Sequence, residues 1–373
     1  MPKNILHIVS FENPYPPNYG GVIDVFYKIK ALHKLGVQIH LHCFVSDRMD
    51  YSVLVQYCAE LYTYTKIKNL LYFFSLKPLA VKFRESKLLE ANLQKVKAPV
   101  LFEGLHTTSV LNYINLADRK LILRAHNIEH DYYNGLANSE NGILKKQLLK
   151  IEARKFKRYE SLLKKVDTVL SISHFEQEYF NKQEGVDSVY LPAFQGHSEV
   201  ADLSPFGEYA FYHGDLSISD NLKVAYFLIN VFKDLDYPLI IAGSKNLDAL
   251  KTAVEPYSNI SCKRISTKKD LKKLFAGAHI NICYSYQRSG TKLKVIHSLY
   301  EGRHCVVNEN VIDDPQILKQ CSLIKTEEEL MKAVEDLRNS PFVQSKEREN
   351  ALDSVYSTKK NAQKIIDILK LEI

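Results

Sequence analysis

The chain has 373 residues, 46% of them hydrophobic and 25% charged, with a formal net charge of +7. That length suits two domains of roughly 150–200 residues each, and the balance excludes a disordered or fibrous chain. No apolar run reaches the roughly 18–20 residues that span a bilayer, and the surplus of cations points to an anionic partner without naming it.

In chain order, short β-rich runs alternate with amphipathic helical stretches, which implies parallel strands joined by crossover helices. Residues 1–10 read as a first strand and not as a secretion signal, so a cytoplasmic protein is expected. Strands are predicted at 5–9, 37–44, 100–103, 121–125, 168–173 and 188–191, with helices at 22–35, 108–114, 144–165 and 175–181. The polar, aperiodic segment 193–205, bracketed by Pro192 and Pro205, marks a domain boundary. The rhythm then restarts, with strands at 209–213, 239–242, 260–265, 280–284 and 305–308 and helices at 221–233, 247–255, 269–276 and 293–300. Helices at 327–337 and 361–371 follow. The expected organisation is α/β: doubly wound, Rossmann-like domains at 1–195 and 206–356 facing across a cleft, and a helix within 357–373 that packs back on the first. The six cysteines are scattered without a Cys-x-x-Cys pair, and Cys43, Cys283 and Cys305 fall in strand-like runs, so reduced core thiols are expected.

Four places carry chemistry. Gly20 and Gly21 open a helix that contains Asp24; paired glycines let backbone approach a ligand, and a helix start offers free N–H groups. The spacing is not Gly-x-Gly-x-x-Gly, so no dinucleotide fingerprint is present. Two turn glycines and a solvated first-turn acid remain the alternative. Second, the polar string from Leu123 to Tyr133 follows a strand directly and holds His126, Asn127, Glu129 and His130. A histidine at a strand's carboxyl end can hydrogen-bond a hydroxyl or phosphate oxygen, and it titrates near neutrality. Third, the strand at 280–284 leads through Ser285–Ser289 to Gly290, Thr291, Lys292 and Lys294 at a helix start, an anion cradle sized for a diphosphate. Lys292 and Lys294 are two apart, so they point to different sides of the helix. Fourth, Gly214 closes the first strand of the second domain and precedes a helix, in a loop expected to face the same cleft.

These residues, in this order, resemble the GT-B glycosyltransferases, in particular the retaining family 4, over nearly the whole chain. Gly20-Gly21 resembles the first-domain glycine loop, and His126-Asn127-x-Glu129 with Tyr132-Tyr133 the segment after a mid-domain strand. Val166 to Ser173 is similar to the family's Asp-x-Val strand, Tyr212 to Asn221 to the loop opening the donor domain, and Gly290 to Gly302 to its donor-binding helix. The resemblance implies transfer of a sugar from a nucleotide-sugar donor to a saccharide or lipid-linked acceptor, with retention, in polysaccharide or glycolipid synthesis. It implies no cofactor beyond the donor, no nucleic acid and no metal. The Asp-x-Asp of Asp234 and Asp236 precedes a strand and so lies away from the cleft. His126 would be catalytic, at the transferred sugar; Gly290, Thr291, Lys292, Lys294 and Gly214 would hold the diphosphate; Gly20, Gly21 and Asp24 would line the acceptor or phosphate side. Two departures stand out. Where many members carry two glutamates with seven residues between them, at the sugar and at the ribose, this chain has Ser289 and His297. The basic pair common after the first donor-domain strand is absent as well. A non-catalytic homologue and a nucleotide-sugar epimerase of similar shape are the alternatives.

Two basic stretches complete the pattern. Lys66 to Lys97 holds eight Lys/Arg against two acids, and Lys145 to Lys165 nine against two. With Leu71-Tyr72-Phe73-Phe74 nearby, the first suits peripheral contact with an anionic membrane, or equally packed helices with a wet basic face. In the second, Leu148, Ile151, Phe156, Tyr159, Leu162 and Leu163 are expected inside and the lysines outside.

Overall fold

The computed structural model describes residues 4–45, 47–140 and 142–372. The chain divides into two units: the first runs to Asn134, resumes over Leu144–Gly196 and takes up the chain again from Tyr356, while the second comprises Gly135–Ile143 and His197–Val355.

The first unit is built on β1 (Ile5–Ser10), β2 (Gln38–Val45), β3 (Glu60–Thr65), β4 (Val100–Glu103), β5 (Leu121–Ala125), β6 (Thr168–Ser171) and β7 (Ser188–Tyr190). They pair in parallel, in the order β3-β2-β1-β4-β5-β6-β7. β1, β4 and β5 are buried at every position, as expected of central parallel strands covered on both faces. On one face the helix Gly20–Lys34 contributes Val22, Val25, Ile29 and Leu32 at helical spacing. The helix Thr358–Leu369 joins that same core through Ala362, Ile365, Ile366 and Leu369, although it follows the second unit in the chain. The opposite face is filled from Lys87–Lys95 by Leu89 and Leu93, together with Phe156, Leu162 and Leu163.

The second unit holds β8 (Tyr209–His213), β9 (Leu239–Gly243), β10 (Ile260–Arg264), β11 (Ala278–Cys283), β12 (His304–Asn308) and β13 (Ser322–Ile324). They form a parallel sheet in the order β10-β9-β8-β11-β12-β13. Its helices include Ser219–Phe232 and Leu293–Glu301. In each unit the winding reverses direction once, between β1 and β4 and between β8 and β11. Ligands of doubly wound sheets bind beyond the carboxyl ends of the strands at such a switch point. The Asp234–Asp236 pair lies at the other end of the second sheet, before β9.

Several expectations are corrected. β3 and β13 carry no strand prediction; both are edge strands, and β13 is only three residues long. The strand expected to reach Ser173 ends at Ser171, because Ser173 instead caps the helix His174–Asn181, its hydroxyl accepting from Glu176 N at 3.2 Å. In place of the helix expected at 108–114 there is a tighter 3-10 turn, Leu105–Asn112. The long helix after Leu144 is α only over Ile143–Tyr159 and continues as 3-10 over Glu160–Lys165. Leu148 and Ile151, expected inside it, are exposed. The buried face is carried by Ala153 and Phe156, which lie roughly 140° further round at about 100° per residue. Cys43, Cys283 and Cys305 are buried free thiols.

Candidate functional site

At the switch point of the second unit, the loop after β11 is stapled on both sides. Ser285 Oγ donates to Asp220 Oδ2 at 2.8 Å, and Tyr286 N donates to Asp220 Oδ1 at 3.2 Å, which ties the loop to the Ser219–Phe232 helix. Ser285 N donates to Asn308 Oδ1, and Asn308 Nδ2 returns a bond to Ser285 O, which ties it to the end of β12. The far end is held by Lys292 N on Val311 O at 3.2 Å. Gly290 sits at φ +78°, where only glycine is unstrained, and it turns the chain into the Leu293–Glu301 helix. No side chain caps that helix start. Its other end is anchored by the buried Arg348, which donates to the carbonyls of Ser298, Leu299, Gly302 and Arg303.

Neither lysine points freely outward. Lys292 Nζ donates to Ser289 O at 2.7 Å, folded over its own loop, and Ser289 is buried. Lys294 Nζ lies 4.6 Å from the centroid of the Tyr212 ring and 3.4 Å from both Tyr212 Oη and Asn221 Oδ1. Burial holds its ammonium below the usual lysine range. Gly214 leaves room for the Asn221 side chain, whose Cγ would stand 3.0 Å from an added Cβ.

Two residues that the sequence reading passed over, His213 and His197, complete the cluster. His213 ends β8, and its Nε2 is buried without a hydrogen-bond partner among the described residues; burial, then Lys294 and His297, keep the ring neutral. His197 stacks on Tyr300, rings 10° apart, with Nδ1 3.2 Å from Glu301 Oε1 and Nε2 2.7 Å from His297 Nδ1. A carboxylate only accepts, so His197 Nδ1 carries the proton and its Nε2 accepts from His297 Nδ1–H. That leaves His297 Nε2 as a bare acceptor, and burial pulls the His297 pKa down to about 3. A glutamate at this position would also present an acceptor. The visible clue to His213 is a polar side chain ending a strand beside a glycine; nothing in sequence spacing pairs His197 with His297.

The first unit carries a wholly buried ion network around Asp24. Arg124 Nε and Nη2 lie 3.1 Å from its two oxygens, Lys28 Nζ lies 2.9 Å from Oδ2, and Phe194 N donates to Oδ1 at 2.7 Å. Lys28 also meets both oxygens of Glu103, at 2.7 and 3.0 Å, and His126 Nε2 lies 3.0 Å from Glu103 Oε2. Burial alone would raise both carboxyls, yet Arg124 and Lys28 hold Asp24, and Lys28 with His126 hold Glu103, below the usual range. Asp24, Glu103 and His126 bring ligand atoms within 4.8 Å of one another, the one such cluster among the described residues, but the Lys28 ammonium already stands between the carboxylates.

Asp24 is therefore neither a solvated first-turn acid nor open to a ligand. Gly20 is exposed and Gly21 partly so; a Cβ on Gly21 would stand 2.8 Å from the Phe11 ring. That ring packs edge-on against His126. Glu129 does not sit in a loop: it starts the helix Glu129–Ser139 and lies buried, 3.6 Å from His106 Nδ1. Asn127 and His126 stay partly accessible between β5 and that helix. His130 is bound to Glu160 at 2.6 Å.

No family model matches the chain. Among curated proteins, an uncharacterized 44.6 kDa protein in the cps region of Klebsiella pneumoniae is 28% identical, over 78% of this chain and 79% of the relative. Among solved structures, sucrose-phosphate synthase from Thermosynechococcus elongatus matches with a TM-score of 0.70 at 14% identity over 98% of both chains. A variant of S. aureus TarM with fondaparinux, α-GlcNAc-glycerol and UDP matches at 0.68 and 11% identity, over 98% of this chain and 99% of that one. Anabaena HepE in complex with UDP and glucose matches at 0.67 and 12%, again over 98% and 99%. The chain thus has the GT-B fold of glycosyltransferase structures.

Proposed function

We propose that the protein is a glycosyltransferase that moves a sugar from a nucleoside-diphosphate sugar to an acceptor hydroxyl, with retention at the anomeric carbon. The observation that carries this reading is the Lys294 ammonium, partly buried at a helix start on a switch point, where its hydrogen-bond partners among the described residues are a phenol and an amide oxygen at 3.4 Å. A partly desolvated cation so lightly compensated is matched by an anion, and a diphosphate supplies one. Gly290, Thr291, Lys292 and Gly214 frame the same anion through backbone and ammonium groups. The Ser289 hydroxyl and the His297 Nε2 acceptor are assigned to hydroxyls of the transferred sugar and the ribose.

His126, oriented by Glu103, is assigned to a hydroxyl of the transferred sugar, with Asn127 and Glu129 beside it. Gly20 and Gly21 are assigned to the acceptor or phosphate side. Stabilising the departing diphosphate by cations and helix N–H groups is the main chemical demand. Lys28 and Arg124 already balance the two buried carboxylates of the first unit, which supports a metal-independent reaction; the absence of a cofactor beyond the donor belongs to the same proposal. The relative from a cps region supports polysaccharide or glycolipid synthesis, and the UDP named in two of the matched structures supports that donor class. A saccharide or lipid-linked acceptor, and work at the inner face of a membrane, belong to the same reading.

Thermal shift with UDP, GDP and ADP tests it. One of them is expected to stabilise the protein, by about 2.7 kcal/mol at a hundredfold excess over its dissociation constant. A response to none, with a response to oligonucleotide, overturns the reading; nucleotide binding without transfer or hydrolysis marks a non-catalytic homologue. His126→Gln is expected to lower kcat roughly 10–100-fold through a lost hydrogen bond while leaving the nucleotide response intact, measured by sugar-transfer kinetics against the shift.

A further inference from the structure

Two segments of the first unit, distant in sequence, expose apolar side chains side by side. Around the 3-10 turn Leu70–Phe74, Leu70 is 80% exposed, Leu71 70%, Phe74 87% and Leu76 83%. On the helix Ile143–Tyr159, Leu144, Leu148 and Ile151 are exposed as well, and their spacing of four and then three places them in one stripe. The next residue of that stripe is Lys155. Its Nζ donates to the Phe73 carbonyl at 3.2 Å, and Glu152 Oε2 accepts from Leu79 N at 2.7 Å. The turn is thus clamped across the end of the stripe, and the two make one apolar surface. Exposed leucines scattered singly are ordinary, but a contiguous set marks a contact surface.

Its surroundings are cationic. Lys68, Lys145 and Arg154 are exposed in the same two segments, with Lys77, Lys82, Lys146 and Lys150 partly so. The few acids there are already engaged: Glu85 with Lys77 and Lys82, and Glu152 with Lys155. Lysine is depleted at the cores of protein–protein interfaces, whereas an apolar face flanked by lysines is the composition of a bilayer-seated surface. No helix among the described residues is long and apolar enough to cross a membrane, so such attachment is peripheral.

We infer that this face docks on a lipid bilayer bearing anionic headgroups, with Leu70, Leu71, Phe74 and Leu76 entering the boundary of the acyl chains and the lysines lying at phosphate level. The inference stands apart from the donor site: either can fail without the other.

Co-sedimentation of the full chain with phosphatidylcholine vesicles, with and without phosphatidylglycerol, at low and high salt, is the test. Binding to the phosphatidylglycerol vesicles is expected, at least roughly tenfold tighter than to phosphatidylcholine alone and weakened by salt. Leu70→Ser with Phe74→Ser and Leu76→Ser is expected to cut that binding at least roughly tenfold with circular dichroism and melting temperature unchanged. Lys68→Glu and Lys145→Glu remove about fivefold or more each. The inference is overturned if phosphatidylglycerol vesicles leave the protein in the supernatant, or if the triple variant binds them like wild type. It is overturned too if the triple variant abolishes self-association in sedimentation velocity while wild type ignores vesicles, which would assign the face to a second copy of the chain.

Discussion

Arg124→Met destabilises the first unit by about 3–5 kcal/mol, the range for breaking one side of a buried ion pair, and lowers its melting temperature by roughly 6–20 °C. Arg124 is wholly buried and serves Asp24 while donating to the carbonyls of Leu170, Leu191 and Pro192. Without it, Lys28 is left as the single ammonium between Asp24 and Glu103, so one negative charge stays buried and unmatched. The sign with pH follows from the Asp24 carboxyl, which the cations hold well below the ordinary carboxylate range. A depressed folded pKa contributes stability above the unfolded value, about 3.9, and loses it as pH falls toward the folded one. The gap between wild type and variant is therefore full while Asp24 is ionised in both, and it narrows in acid as the less compensated Asp24 of the variant takes up its proton first. Asp24→Asn added to Arg124→Met recovers part of the loss, because the unmatched charge leaves with its partner. Thermal denaturation across pH measures all three; an Arg124→Met protein that melts with wild type at neutral pH would show that the network adds nothing.

Lys294→Met weakens the nucleotide that stabilises wild type by about 10–100-fold, the worth of a hydrogen bond to a charged group at 1.5–3 kcal/mol. Methionine keeps the stem that lies against Tyr212 and removes only the ammonium. Because burial already holds that ammonium below its usual range, the ligand-free variant is expected to melt no lower than wild type. A purely structural lysine would do the opposite: a lower melting temperature and unchanged nucleotide affinity. Calorimetric titration with a thermal melt separates the two.

Much of this architecture was legible beforehand, and the reasons are local. The strands at 100–103, 121–125 and 209–213 are short apolar runs with turn residues at both ends, and the structure has them with the same limits. β3 escaped because Glu60–Thr65 mixes tyrosine, threonine and glutamate on a half-exposed edge, where burial imposes no apolar pattern. Around Phe156 the helical period gives the apolar positions as one set, yet they divide between a core face and an outward stripe; period alone does not say which face is covered. At the candidate donor site, Gly290 and Lys294 announce themselves by following a strand. The Glu301–His197–His297 chain does not, because its members meet only after the segment before β8 lies along the Leu293–Glu301 helix. Asp24 was visible as a residue but not as a buried one, since its partners Lys28, Glu103 and Arg124 come from three separate elements.

The helix Thr358–Leu369 has a consequence for synthesis. Its four buried apolar residues complete a core whose other buried members are all made before His197. During vectorial emergence from the ribosome the first unit thus stays unfinished, with the face of Gly20–Lys34 uncovered, while the whole of the second is made. Apart from Gly135–Ile143, the second is one continuous stretch of chain and has all its strands in hand before that closing helix appears. The unit translated first is the last to be sealed.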